Sequence, residues 1–244
     1  MSPFTTNIFL ILLGFLPSIV WLGIFLRKDC HPEPRYMLIR TFLMGMILSP
    51  VAVGLQWAFV GLGEKAWPQI FAFSSAHFFL WAALVEEIVK YWSVKFTVLN
   101  NPEFDEPVDA MVYMIAASLG FAAIENILVL FRSSTESVDL ALQVWALRSV
   151  GATLLHALSG AIIGYFLALS WFYFEHQKKL VTIGIILATL FHFTFNVLIF
   201  SFPDSRDGFI YSLILLLVFA GLIQILFRKV KERQVKNSSS AISF

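Results

Sequence analysis

The chain has 244 residues and a formal net charge of +1; 59% of it is hydrophobic and only 14% is charged, against about 25% charged in an ordinary soluble domain. With a mean hydropathy of +0.80, it would expose too much apolar surface as a water-soluble globule and is too hydrophobic to be disordered. The single cysteine, Cys30, excludes a disulfide scaffold, and a near-neutral chain whose one basic cluster lies in its tail is no nucleic-acid binder.

What remains is an all-α polytopic membrane protein. A helix needs about 20 apolar residues to cross the hydrocarbon core. In chain order, seven segments qualify: Thr6–Leu26, Leu38–Val60, Trp67–Val89, Val108–Phe131, Val150–Phe174, Leu180–Phe202 and Phe209–Phe227. The first is an anchor and not a cleavable signal, since no Lys or Arg precedes it and no A-x-A site follows. The second contains Ser49-Pro50, which predicts a kink. Glu86, Glu87 and Lys90 crowd the end of the third. Leu140–Leu147 is too short to span and forms a surface turn or extends the fifth helix.

The connections are short, so their Lys and Arg set orientation. Alternate connections carry 13 basic residues on one side and 4 on the other. This predicts an N-terminus outside, a cytoplasmic C-terminus, and a multi-pass location in the cell membrane. No connection is long enough for a second domain. Residues 1–236 read as one helical transmembrane domain and 237–244 as a flexible tail.

Ionisable side chains inside a bilayer cost about 2.5–3.5 kcal/mol each on insertion scales, so several in one chain demand a reason. Here they are His77, Glu86, Glu87, Lys90, Glu125, His156 and His192, accompanied by Asn126 and Asn196. Lys90 is one helical turn from both Glu86 and Glu87, so it neutralises one and leaves the other over. A surplus Glu in an apolar setting is what a general base needs. Glu125 has no basic residue within one turn and must face the protein interior or water. His156 shares a face with Gly160 and Gly164, a small-residue stripe that admits a close neighbour. His192 and Asn196 are four apart and share a face. His77 falls on the opposite side of its helix from Glu86 and reads as structural. A Glu-rich cluster with two His suits zinc, which takes three protein ligands plus water in catalytic sites. It equally suits a metal-free hydrolase in which a Glu activates water and His or Asn donors stabilise an oxyanion. There is no H-E-x-x-H and no G-x-S-x-G.

These residues resemble a known set. Glu86-Glu87-Ile88-Val89-Lys90 is similar to the E-E-x-x-K motif of the PrsW family of intramembrane proteases. Phe121-x-x-x-Glu125 resembles its second motif, His156 with Gly164 the third, and His192-x-x-x-Asn196 the fourth. The acidic stretch Asp105-Glu106-Pro107-Val108-Asp109 is also family-like. The likeness covers about residues 80–200, in order and on successive helices. The C-a-a-X prenyl proteases are related, but where this chain has Glu125 their second motif has His.

The resemblance implies an endopeptidase acting within the lipid bilayer on a single-span membrane protein such as an anti-sigma factor. That would be the first cleavage of regulated intramembrane proteolysis in a stress response. Glu86 or Glu87 would be the catalytic carboxylate. Glu125, His156 and His192 would line the site, with Asn196 in support. Bound zinc would take Glu125, His156 and His192 as ligands, and a glutamate mechanism without metal is the other route. Two other classes compete: a proton- or cation-coupled carrier using the Glu/His chain as a relay, and an inert scaffold of the same fold. The predicted spans carry one tension. They place Glu86 near the cytoplasmic end and Glu125 towards the outside, more than about 10 Å apart in depth. One site then requires the third span to sit deeper than its apolar run indicates.

Overall fold

The structure is a computed structural model that describes residues 3–27, 32–202 and 206–241. Among these there is no strand. The helices are α1 (Pro3–Leu26), α2 (Arg35–Gly63), α3 (Pro68–Phe71), α4 (Ala76–Thr97), α5 (Asp109–Ser134), α6 (Val138–Val150), α7 (Ala152–Phe172), α8 (Gln177–Ser201) and α9 (Arg206–Ala241). Seven stretches are long and apolar enough to cross a membrane, with α3–α4 forming one and α6–α7 another. Large apolar side chains such as Leu12, Leu62, Leu217 and Val218 are exposed around the outside, as lipid contact requires. His31 and residues 242–244 of the tail lie outside the described residues.

The helix at the centre is α5. Every residue from Asp109 to Ala123 is buried, and α1, α2 and α7 pack around it. In lipid there is little hydrophobic drive between helices, so close van der Waals contact between small residues holds them together. A Cβ on Gly45 of α2 would overlap the Ala117 carbonyl oxygen, and one on Gly120 of α5 would overlap the Phe42 carbonyl oxygen. On the other side, Gly160 lies against Ser118 and Gly164 against Met111. The His156 stripe therefore packs on α5 of the same chain.

At one end, the Tyr113 hydroxyl donates to Glu33, tying the segment before α2 to α5. The Asp109 Oδ2 accepts from the backbone N–H of Glu106 at 2.8 Å and of Asp105 at 3.2 Å. The acidic stretch thus folds back on the start of α5. At the other end, the Trp21 indole donates to the Ser149 carbonyl and the Trp145 indole to the Leu13 carbonyl, both at 2.8 Å, fastening α1 to α6.

The third span differs from the sequence expectation. The span runs Pro68–Thr97 where Trp67–Val89 was expected, so its start agrees and its end lies eight residues later; the motif-bearing helix within it is Ala76–Thr97. Pro68 opens a single turn, α3, and Ser75 closes it by donating to the Ile70 carbonyl at 2.6 Å. The same Ser75 hydroxyl caps α4 by accepting from the Phe78 N–H at 2.9 Å. Leu140–Leu147 belongs to α6, capped by Ser137, which continues through a break at Gly151 into α7. α2 runs on as helix through Pro50.

Candidate active site

The new limits of α4 place its carboxylates in mid-membrane. Glu86 is ten residues from the start of α4, and Glu125 is nine from the end of α5. Consecutive spans cross in opposite senses, so both lie about 14 Å from the same end at 1.5 Å per residue. The depth difference expected from the sequence disappears.

Two chains of cation, carboxylate and imidazole converge on Glu86. In the first, Lys90 Nζ donates to Glu87 Oε1 at 2.7 Å, and the same oxygen is 2.8 Å from His192 Nδ1. A carboxylate oxygen accepts, so Nδ1 carries the proton and Nε2 presents a lone pair. That Nε2 is 3.7 Å from Glu86 Oε2. Lys90 and Glu87 are both fully buried, and the ammonium lies 3.4 Å from Ser159 Oγ and 5.4 Å from the Phe121 ring centroid. In the second chain, Arg148 Nη2 donates to Glu125 Oε2 at 3.0 Å, and that oxygen is 2.8 Å from His156 Nε2. His156 Nδ1 is left as the lone-pair nitrogen. Arg148 Nε also donates to Asn126 Oδ1 at 2.8 Å, and Asn126 donates to Thr153 at 2.9 Å. The two imidazoles meet edge to face with ring centroids 5.3 Å apart.

Glu86 itself has one committed oxygen. Its Oε1 accepts from Gln56 Nε2 of α2 at 2.8 Å. Its Oε2 is buried with no hydrogen-bond partner among the described residues, as are Glu87 Oε2 and His156 Nδ1. The cluster holds three carboxylates against Lys90 and Arg148, so one negative charge is uncompensated while the histidines are neutral. Such a site calls for a proton or a cation. Glu125 and Arg148 have side chains 27% and 22% exposed, whereas Glu86 and both histidines are buried, so the cluster opens on the Glu125–Arg148 side.

A metal fits. Glu86, His156 and His192 each offer a ligand atom within 4.8 Å of the other two. Two imidazole nitrogens and one carboxylate oxygen match the three protein ligands that a catalytic zinc takes besides water. Each imidazole is held through its other nitrogen by a carboxylate, as zinc-ligating histidines generally are. The third converging side chain is Glu86, where the sequence reading named Glu125; Glu125 stands behind His156, with an oxygen committed to it and to Arg148. Asn196 is half-buried one turn beyond His192 and has no side-chain hydrogen bond among the described residues. His77 is exposed at the start of α4, away from the cluster.

Sequence reasoning missed Gln56 and Arg148. Nothing in one sequence brings an α2 amide beside Glu86, and Arg148 was counted among the charges flanking the membrane. Without Lys90 and Arg148 the basic residues still divide 12 to 3.

Comparison with known proteins gives the family. The sequence model of the PrsW family intramembrane metalloprotease matches residues 33–222. A Protease PrsW of Geobacillus kaustophilus (strain HTA426) is 32% identical over 224 residues, covering 91% of each chain. That of Oceanobacillus iheyensis is 32% identical over 191 residues, 78% of this chain and 83% of the relative. That of Bacillus subtilis (strain 168) is 29% identical over 208 residues, 84% and 88% of the two chains. No solved structure matches. The family match spans every helix that contributes a side chain to the cluster, and the chain accordingly belongs to the PrsW family of intramembrane metalloproteases and is a multi-pass membrane protease.

Proposed function

We propose that the chain is an endopeptidase that cuts single-span proteins of the cell membrane, an anti-sigma factor being the substrate class, as the first cut of regulated intramembrane proteolysis. The N-terminus is outside and the C-terminus cytoplasmic, on the division of basic residues. One observation carries the reading: two imidazoles, each hydrogen-bonded to its own carboxylate, lie with a nitrogen of each within 4.8 Å of a third carboxylate that has an uncommitted oxygen. Ionisable groups within a membrane-spanning bundle mark a functional site by default, and the family is one of proteases.

Glu86 is the base. Gln56 holds Oε1, so Oε2 takes the proton from water as the hydroxide oxygen bonds to the peptide carbonyl carbon. His192 Nε2, 3.7 Å from that oxygen, can take the proton through the intervening water, and Glu87 stabilises the imidazolium that results. The imidazolium N–H and the Asn196 amide then donate to the oxyanion. Collapse of the tetrahedral intermediate breaks the C–N bond, and the proton passes to the leaving amine. Glu87 is the lesser candidate for the base, because one of its oxygens already holds both Lys90 and His192. Zinc, when bound, would be held by Glu86, His156 and His192 in place of the proton-transfer roles of Glu86 and His192, and would supply a Lewis acid that lowers the pKa of its water.

The test is cleavage of single-span substrates by the purified chain, with metal content measured alongside. Glu86→Gln should abolish cleavage, and Glu87→Gln should lower it about 10–100-fold, the usual range for a residue that orients a ligand. One zinc per wild-type chain, lost in both His156→Ala and His192→Ala, supports the metal route. A metal-free wild type that still cleaves supports glutamate alone. Full activity in Glu86→Gln overturns the assignment.

A further inference from the structure

A second polar site lies at the opposite end of α4 from its Ser75 cap. Arg40 of α2 and Lys95 of α4 line a cavity of about 180 Å³ with Thr97, Asn100 and Asn101, and Phe96 forms its edge. The two helices are neighbours there, with the Thr41 and Thr97 hydroxyls 3.3 Å apart. Both cations are exposed, and neither has an ion-pair partner among the described residues. The acidic residues of the following loop, Glu103, Asp105 and Glu106, do not line the cavity. Asn101 uses its Oδ1 to accept from the Glu103 N–H at 3.0 Å, which leaves its amide N–H groups free to donate.

A cavity with a guanidinium, an ammonium and amide donors, and no carboxylate, is built for a tetrahedral oxyanion. Its position selects among such anions. It sits at the end of two spans, and directly along α4 from it Phe96 and Trp92 are 59% and 43% exposed, as Leu43 is at 46% on α2. A phosphate in the cavity would therefore have apolar surface running from it towards the membrane centre, the shape of a phospholipid with its headgroup bound and its chains on the protein. We propose that this cavity binds the phosphate of an anionic phospholipid and thereby fastens α2 to α4. Those two helices also carry Gln56 and Glu86, well along the spans from the cavity.

The test uses the detergent-purified full chain titrated with phosphatidylglycerol, phosphatidylcholine, or inorganic phosphate, read by native mass spectrometry and thermal stability. Phosphatidylglycerol should be retained and should stabilise, while phosphatidylcholine should do neither. Arg40→Gln/Lys95→Gln should weaken phosphatidylglycerol binding about 30-fold, from the usual contribution of one basic residue taken twice. Lys178→Gln/Lys179→Gln, with the same loss of charge at another exposed connection, should leave binding within about twofold. Retention of inorganic phosphate at the same site in the absence of lipid would keep the phosphate chemistry and assign it to a soluble anion. Equal loss in both double variants, or equal retention of the two lipids by the wild type, would overturn the proposal. The lipid comparison on the wild type decides the matter even if the Arg40→Gln/Lys95→Gln variant does not fold.

Discussion

Replacing Lys90 by Met separates two functions of one ion pair. Lys90 and Glu87 are fully buried with N and O 2.7 Å apart. At an effective dielectric constant of about 20 their Coulomb attraction is about 6 kcal/mol. Desolvation of both groups opposes it, and the net value is much smaller than the cost of stranding one partner, about 3–5 kcal/mol. Lys90→Met alone should therefore lower stability by about 3–5 kcal/mol. Helix propensity contributes almost nothing, since Lys and Met are close in rank. Glu87→Gln alone strands the ammonium and should cost a similar amount. The double variant removes both charges and should return to within about 1 kcal/mol of the wild type, as replaced buried pairs often do. Activity should not return with it, because the His192 imidazolium would have lost its counter-charge. Unfolding titrations in micelles give the stability cycle, and cleavage rates on the same preparations give the activity. Additive losses in the double variant would refute the buried pair. Recovery of activity together with stability would refute the role of Glu87 behind His192.

Arg148 acts through Glu125 on His156. Its side chain is partly exposed, so Arg148→Met should cost less stability than breaking a fully buried pair, about 3–5 kcal/mol, yet lower kcat about tenfold or more. Arg148→Lys should restore part of the rate, and an unchanged rate in Arg148→Met would remove Arg148 from the site. Gly45→Ala and Gly120→Ala each push a methyl group into a facing carbonyl and should cost about 1–3 kcal/mol. Gly54→Ala, which meets open space inside α2, should lose no stability and gain up to about 1 kcal/mol in the same unfolding assay.

Much of this architecture was legible from hydrophobicity alone. Seven apolar runs predict seven spans because the bilayer leaves unsatisfied backbone no alternative to helix. Glu125, His156 and His192 stood out for the same reason, since charge in an apolar run is costly. The errors have one physical source. The rule that charges mark the ends of spans assumes that they face solvent, and Lys90 with Glu87 satisfies its charge inside the protein. The third span was therefore ended too early, while its start at Pro68 falls within one residue of the expected Trp67, and Ser75, which starts α4 inside the span, carries no weight in a hydropathy count. Arg148 looked like a flanking charge because its partner Glu125 is 23 residues away on another helix. Gln56 is neutral and lies on a helix without other site residues, so only the packing of α2 on α4 reveals it.

The glycine contacts around α5 also bear on how the chain assembles. α1 and α2 both dock on α5 and make little contact with each other. Their partner is made later, after α4. The first two spans can enter the bilayer as independent helices; α2 can pack on α4 once that helix is made, but α1 meets its main neighbour, and the Gly45 face of α2 its partner, only when α5 arrives. A nascent chain stopped before residue 109 would leave the Gly45 face unmatched within the lipid, as bait for quality-control proteases. Biogenesis of this enzyme thus has a commitment point near the middle of translation, set by a helix that contributes Glu125 to the site and most of the scaffold besides.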